Sequence, residues 1–314
     1  VSFSETGFGL VGMQTRVFGG DARVEGGSQG RDVALRMQGV ATAEGLRQAS
    51  ELGLVARLAQ RATGSAAYAA TLGIQRDALA FSLDSSLQGL ALDLPAPLAK
   101  TAEASWPLRV AVAPQATTPR TDQVSVTLAS LLSAQFVRDT SGAEPRVLRG
   151  AIAAGLLPDE AAPLPDRGVV ANVRLDTVSV DAWQAMLQEV SPPAAAAVAS
   201  AATALDDGFM PERFALRAAE LHVGGRSLHQ LVVGGSRDGS TWRANVDAHE
   251  LNGYIEYRQG AGGDAAPGRI HARLARLAIA QGSEEEVTQL LDERSASMPE
   301  LDVVVEDFEL RGKK

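Results

Sequence analysis

The feature of this sequence that most constrains its fold is an alternation of apolar and polar residues that recurs in segment after segment. In TWRANVDAH, Trp242 and Val246 fall on the apolar side, whereas Arg243 and Asp247 fall on the polar side. A period of two places such residues on opposite faces of a strand. The segments are separated by Gly or Asp-Gly turns. The pattern therefore predicts an antiparallel sheet with one apolar and one polar face.

We predict a mainly β protein whose elongated, twisted antiparallel sheet curls into an open groove, with about three peripheral helices. A first sheet segment is expected over residues 1–120 and a second over 121–314, joined in one continuous sheet. Because the chain starts without Met inside a strand pattern and stops directly after another strand, we expect a fragment of a longer protein.

The three helices are expected near residues 42–62, 181–206 and 283–296, each between groups of strands. Thr42 is predicted to cap the first helix and Asp181 the second. Such helices would cover part of the sheet or close one of its ends.

The segment GFGLVG near the start fits the pattern GxGxxG of dinucleotide-binding folds. That fingerprint needs a buried strand before the glycines and a helix directly after them. Here the preceding residues make a poor buried strand, and Gly19 and Gly20 would interrupt the helix. A strand with glycine turns is the better interpretation.

The composition limits the partners and the chemistry of the chain. The 314 residues carry a net charge of −9, and their basic residues are scattered, which argues against nucleic acid as a partner. Cysteine is absent, so disulfides and thiolate catalysis are excluded, and a periplasmic location suits such a chain. Aromatic residues make up only 4%, so small aliphatic side chains supply the apolar surface.

Residues with catalytic potential do not form a recognisable constellation. His222, His229, His249 and His271 lie on or beside neighbouring strands and could in principle bind a metal. Surface histidines are the simpler interpretation, because His222 and His271 sit on the polar sides of their segments. We therefore predict no catalytic residues, no metal site and no cofactor.

A faint internal repeat joins two strand ends. LHVGGRS around Gly225 and FELRGKK around Gly312 superpose with an offset of 312 − 225 = 87 residues. A repeated β unit predicts a sheet that grows unit by unit.

The stretch LDSSLQGLALDLPAPLAK carries the most distinctive motif. Its composition predicts an edge strand that ends at the prolines and is followed by an extended loop. Its pattern SxLxGxxxxLPxPxxK is held by Ser86, Leu87, Gly89, Leu94, Pro95, Pro97 and Lys100. This pattern resembles a hallmark of the YhdP branch of the AsmA-like proteins. FGGDARVEGG, WRANVDAHELNGYIEYR with GRIHARLARL, and PELDVVVEDFELRGKK resemble further motifs of that family, so the resemblance spans nearly the whole chain.

The resemblance implies a bridge-like lipid carrier of Gram-negative bacteria. We expect a full-length protein anchored in the inner membrane, with a rolled sheet in the periplasm that contacts the outer membrane. The expected partners are phospholipid acyl chains, held along an apolar groove. The residues expected to line that groove are Val126, Leu128, Leu132, Phe136, Leu175, Phe214, Leu216, Trp242, Val246, Ile270 and Leu274.

Three alternatives stay open at this point. The alternating apolar residues can form an ordinary core that the helices cover. The sheet can also serve as a non-enzymatic scaffold or adaptor of the cell envelope, which recruits partners by strand addition. A metal-dependent hydrolase built on the histidines is the third.

Overall fold

The computed structural model describes residues 2–4, 7–75, 78–115, 118, 120–156, 163–190, 208–260, 268–280 and 300–311. The residues that the structure describes are mainly β, with about two thirds of them in strands, and 18 strands pair into an open mixed sheet. The predicted fold class is therefore confirmed. Contacts divide the chain into two units, one up to Val169 with residues 208–210, the other over 170–190 and from Pro211 onward.

The first unit consists of antiparallel strands joined mostly by short turns. They are β1 Ser2–Ser4, β2 Gly7–Val17, β3 Gly20–Gln29, β4 Asp32–Thr42, β5 Ala62–Gln75, β6 Ala78–Ser85, β7 Leu90–Leu92, β8 Leu108–Pro114, β9 Thr121–Leu128, β10 Leu132–Asp139 and β11 Arg146–Ala154. Each strand pairs with the next, except that β6 pairs with β8 and the short β7 pairs with the start of β5. The boundary predicted at residue 120 falls between the directly paired strands β8 and β9.

The second unit contains both parallel and antiparallel pairs. Its strands are β12 Gly168–Ser179, β13 Arg213–Val223, β14 Arg226–Asp238, β15 Thr241–Asp247, β16 Leu251–Arg258, β17 Arg269–Ala280 and β18 Glu300–Arg311. The pairs β12–β13 and β17–β18 are parallel and the others are antiparallel. Since parallel neighbours need a long crossover, the chain leaves the sheet twice in this unit.

The predicted repeat coincides with the second strand of each parallel pair. Shifting the bounds of β13 by 87 residues gives 300–310, and β18 spans 300–311. In β13 the apolar residues fall on every second position up to Ala218 and then resume, shifted by one position, at Leu221. In β18 the same one-position shift occurs between Val305 and Phe308, 87 residues later. The same strand design therefore follows both crossovers.

The first predicted helix is broken into short pieces. The segment forms α1 Ala43–Gln48, a 3₁₀ turn Ser50–Leu52, α2 Leu54–Leu58 and a second 3₁₀ turn Ala59–Arg61. The cap at Thr42 is confirmed, because its hydroxyl accepts a hydrogen bond from the Gly45 amide at 3.0 Å. The break falls at Gly53, whose φ of 54° is incompatible with a continuous helix.

The second predicted helix begins as α3 Val180–Val190, and the rest of that prediction lies outside the described residues, as does the helix predicted at 283–296. The predicted cap at Asp181 is wrong, because the Ser179 hydroxyl accepts from the Ala182 amide instead. The Asp181 carboxylate accepts from the amides of Gly225 and Gly224, at 3.0 and 2.7 Å. These two hydrogen bonds hold the pKa of Asp181 below its usual range and fasten α3 to the β13–β14 turn.

The segment GFGLVG is a strand, as predicted, and no helix follows it. It opens β2, which contains a bulge between Leu10 and Met13. Val11 lies in this bulge with 88% of its surface exposed, and Gly12 has a φ of 62°. The nucleotide-binding interpretation is therefore excluded for this segment.

Candidate functional site

The candidate site is the apolar side of the sheet, which the strand register defines in each unit. In the first unit, Leu128 pairs with Leu132, and Val124 pairs with Phe136. Directly paired residues project to the same face, so the predicted Val126, Leu128, Leu132 and Phe136 share one face. The sequence run 123–136 is a hairpin rather than one strand, but its three-residue turn preserves the alternation.

This face, which we call the first apolar face, continues across the neighbouring strands. From β9 the register leads through β8, β6, β5 and β4 to β3, and each strand contributes apolar residues. The face consists chiefly of Val24, Val33, Leu35, Met37, Tyr68, Leu72, Ile74, Leu79, Phe81, Leu83, Val110, Val112, Val124, Val126, Leu128, Leu132, Ala134, Phe136 and Ile152.

Seven of the predicted lining residues lie in the second unit, and the register places all of them on one face. Leu175 pairs with Ala218, and Trp242 is followed across the sheet by Tyr257 and Ile270. This second apolar face consists chiefly of Val173, Leu175, Phe214, Leu216, Ala218, Leu221, Leu228, Leu231, Val233, Trp242, Ala244, Val246, Leu251, Ile255, Tyr257, Ile270, Ala272, Leu274, Leu277, Leu301, Val303, Val305 and Phe308.

Neither apolar face is fully covered by the described residues. Most of the large side chains on both faces are half-buried, and Leu79, Leu301 and Phe308 are 46%, 59% and 55% exposed. α1 contacts β4 and β5, and α3 contacts β13. Phe136 and Val246 are buried in local clusters and Leu274 is also buried, whereas the other eight predicted residues are half-buried.

Glycines on the neighbouring strands make room for large rings on these faces. The ring residues and the glycines paired with them are Tyr68 with Gly39, Phe136 with Gly150 and Phe214 with Gly235. A Cβ at Gly235 would stand 2.5 Å from the Phe214 ring, and one at Gly150 would overlap the Phe136 ring. The rings therefore lie across the adjacent strand instead of standing upright, which keeps the apolar faces low in relief.

Most residues of the first apolar face are not among the predicted lining residues. Leu35, Met37, Leu72, Phe81 and Leu83 lie on β4, β5 and β6. The signal was present as the alternation in DVALRMQG, which spans residues 32–39.

The opposite face of the second unit carries a ladder of charged side chains. Arg243 and Arg258 bind Glu256, at 3.2 and 3.0 Å, and Arg269 binds Glu300 at 2.6 Å. Hydrogen bonds from Tyr254 and Arg243 hold the pKa of Glu256 below its usual range, although partial desolvation opposes them. This side of the unit is therefore a self-paired, solvated surface.

Three of the four histidines have polar side-chain partners. His271 lies 3.0 Å from Asp302, and His222 lies 2.8 Å from the Ser227 hydroxyl. His229 stands 2.7 Å from Glu250, which raises the pKa of the imidazole. Among the residues that the structure describes, no group of three His, Cys, Asp or Glu side chains could hold a metal ion.

The SxLxGxxxxLPxPxxK motif contains β7 and packs against α1 and the start of β5. Leu90 joins a cluster of buried alanines from α1 and β5, and Leu94 is also buried. Lys100 is 5% exposed, and its ammonium donates to the carbonyls of Leu90 and Thr101, at 2.8 and 3.0 Å. Burial lowers the pKa of Lys100, and the charge of Glu103 opposes that shift.

No described helix is long and apolar enough to cross a membrane. Taken together, a mixed sheet with an apolar face in each unit that the described residues leave partly uncovered defines the class of protein.

Comparison with known proteins identifies the family within that class. The model of the YhdP protein family matches residues 1–314, so the chain belongs to the YhdP family of AsmA-like proteins. The predicted membership is thereby confirmed. No curated protein and no solved structure matches the chain.

Proposed function

We propose that this chain is a periplasmic section of a phospholipid carrier, in which the apolar faces of the sheet hold acyl chains. The full-length protein would be anchored in the inner membrane and pass phospholipids toward the outer membrane. The observation that carries this proposal is the apolar face of each unit, which the described residues leave partly uncovered. Membership of the YhdP family supports it.

The energetics favour an apolar occupant of these faces. Apolar side chains left in water cost about 25 cal/mol per Å² of area, and burying each CH₂ of a lipid tail gains about 0.8 kcal/mol. Two long acyl chains therefore gain more than about 10 kcal/mol before ordering costs. The gain needs no polar pocket or catalytic group, because it depends on apolar area alone.

The low relief of the faces favours fluid chains over a second protein layer. Packed sheets interdigitate their side chains, which requires upright residues on both layers. Phe136 and Phe214 instead lie across Gly150 and Gly235. A smooth surface of this kind accommodates acyl chains in many registers, as transport along a sheet requires.

The test compares neighbouring residues on opposite faces. Leu128→Asp places a carboxylate on the first apolar face, and Thr127→Asp places the same charge on the exposed reverse. Phospholipid that co-purifies with each variant is extracted and counted by mass spectrometry. We expect the wild type and Thr127→Asp to carry similar amounts, and Leu128→Asp to carry several-fold less, because a carboxylate resists transfer from water to an acyl environment.

A second pair of variants repeats the test in case Leu128→Asp does not fold. Leu79 is already 46% exposed on the first apolar face, and the exposed Ala80 beside it faces the other way. Leu79→Asp and Ala80→Asp therefore repeat the comparison at little risk to folding, which circular dichroism checks. Wild-type protein without lipid, or folded face variants with undiminished lipid, would contradict the proposal.

One observation favours the scaffold alternative. β18 exposes apolar side chains on both of its faces, with Leu301 59% and Val304 49% exposed. Strands of this kind recruit other strands through main-chain hydrogen bonds. Wild-type protein that binds no lipid but is captured by an extended peptide along β18 would favour this second function.

A further inference from the structure

A row of large side chains crosses the second apolar face at one end of its strands. Arg237 pairs directly with Trp242, Trp242 with Tyr257, and Tyr257 with Ile270. Paired residues share a face, so a cation and two amphipathic aromatic side chains lie in one line beside the apolar surface. Trp and Tyr favour such boundaries between apolar and aqueous surroundings, because their rings are apolar and carry a polar atom.

Contacts on each side fix the cation and its ring. The guanidinium carbon of Arg237 lies 5.6 Å from the centre of the Trp242 ring, and its Nε donates to the Gly239 carbonyl at 2.9 Å. The Trp242 ring in turn packs against Phe214, with 5.6 Å between ring centres. Arg237 is thus held at the end of the apolar face, where its next neighbours along β14, Ser236 and Asp238, alternate to the polar side.

The strand length beyond this row matches one lipid tail. From Trp242 the apolar side of β15 runs through Ala244 and Val246 to Ala248. Six residues of extended chain span about 20 Å. Half of a bilayer's hydrocarbon core is about 15 Å thick. An acyl chain that starts beside Arg237 therefore fits within the length of the strand.

We propose that Arg237, with Trp242 and Tyr257, forms a site for the phosphate of a glycerophospholipid whose tails lie on the second apolar face. A guanidinium presents parallel N–H donors that match phosphate oxygens. The aromatic rings cover the glycerol region next to it. This inference rests on the proposed function and adds the position and polarity of the bound lipid.

The experiment separates the headgroup from the tails. Dihexanoyl phosphatidylglycerol, dihexanoylglycerol and inorganic phosphate are titrated into the 314-residue chain by calorimetry. We expect the phospholipid to bind about tenfold tighter than the diacylglycerol, because a hydrogen bond to a charged group is worth about that factor. Inorganic phosphate alone should bind negligibly, since it lacks tails.

Variants at the two ends of one strand supply the control. Arg237→Gln removes the proposed cation, whereas Arg226→Gln removes the exposed cation at the other end of β14. Arg237→Gln should bind both lipids equally, and Arg226→Gln should keep the tenfold preference. Arg237→Lys, which keeps the charge and about the same length, should retain a reduced preference and serves if the glutamine variant fails to fold.

The outcomes distinguish this inference from the proposed function. A wild type that binds both lipids equally, or an Arg237→Gln variant that keeps the preference, overturns the headgroup site and leaves the carrier function standing. A wild type that binds neither lipid overturns both.

Discussion

Replacing Gly150 by alanine tests whether glycine is required beneath a flat ring. Gly150 lies on β11 directly opposite Phe136, and a Cβ at this position would overlap the ring atoms Cδ1 and Cε1. The ring cannot move freely, because it packs edge to face against Phe209 with 4.9 Å between centres. Phe136 must therefore leave its place or β11 must shift.

The magnitude follows from these two contacts. Overpacking of a filled site costs about 1–3 kcal/mol. Loss of the edge-to-face contact adds about 0.5–1.5 kcal/mol. We expect Gly150→Ala to lower the free energy of local unfolding by about 1.5–4.5 kcal/mol, which is about a 10- to 2,000-fold rise in the opening equilibrium.

Hydrogen exchange of peptides from β10 and β11 measures that equilibrium, and two further variants complete the design. Gly73→Ala is the matched control, because a Cβ there would meet only Ala80, at 3.8 Å. It should be neutral or slightly stabilising. In a Phe136→Leu background, Gly150→Ala should cost much less than in the wild type. Equal costs in both backgrounds would refute the argument, since the ring would then not be the obstacle.

Two further predictions concern charged groups. Lys100→Arg should lower the free energy of unfolding by about 1–3 kcal/mol although the charge is kept, because a planar guanidinium overfills a site built for a compact ammonium. Urea denaturation measures this change. As a control, Arg109→Lys at an exposed position should change the free energy of unfolding little. The hydrogen bond to Glu250 raises the pKa of His229 from 6.5, so, while Glu250 is ionised, the stabilisation from this pair is complete below about pH 6.5 and is lost as the pH rises through the folded pKa of His229. The stabilisation is lost again as the pH falls through the folded pKa of Glu250, which, against desolvation, hydrogen bonds hold below its usual 4.5. Glu250→Gln should shift the NMR titration of His229 to lower pH, and an unchanged titration would contradict this assignment.

The sequence predicts the faces of the sheet better than its connections. Alternation is a local property, so it survives errors in strand boundaries. The run from Val124 to Phe136 illustrates this, because it is a hairpin with three turn residues, and both of its strands still present the predicted face. The same reasoning places all eleven predicted lining residues on the two apolar faces.

Features that depend on distant contacts escape the sequence. The break at Gly53, where φ is 54°, interrupts a segment with helical spacing, and α1 on its N-terminal side contacts β4 and β5. Asp181 has the residue type of a cap, but two amides of the β13–β14 turn, over 40 residues away, bind its carboxylate. The pairing of Phe136 with Gly150 also depends on register, which composition cannot supply.

The repeat of 87 residues coincides with the two parallel strand pairs of the second unit. When β13 is shifted by 87 residues, its bounds and the point where its apolar alternation shifts by one position both coincide with those of β18, to within one residue. Each of the two strands is the second strand of a parallel pair. A parallel pair forces the chain out of the sheet and back, so each repeat needs a crossover. In the described crossover, the Asp181 carboxylate fastens α3 at the β13–β14 turn, which is a strand end. Cutting that tether with Asp181→Ala should therefore speed hydrogen exchange in α3 while leaving exchange in β14 and β15 unchanged, and equal loss of protection in all three would show that α3 supports the sheet itself.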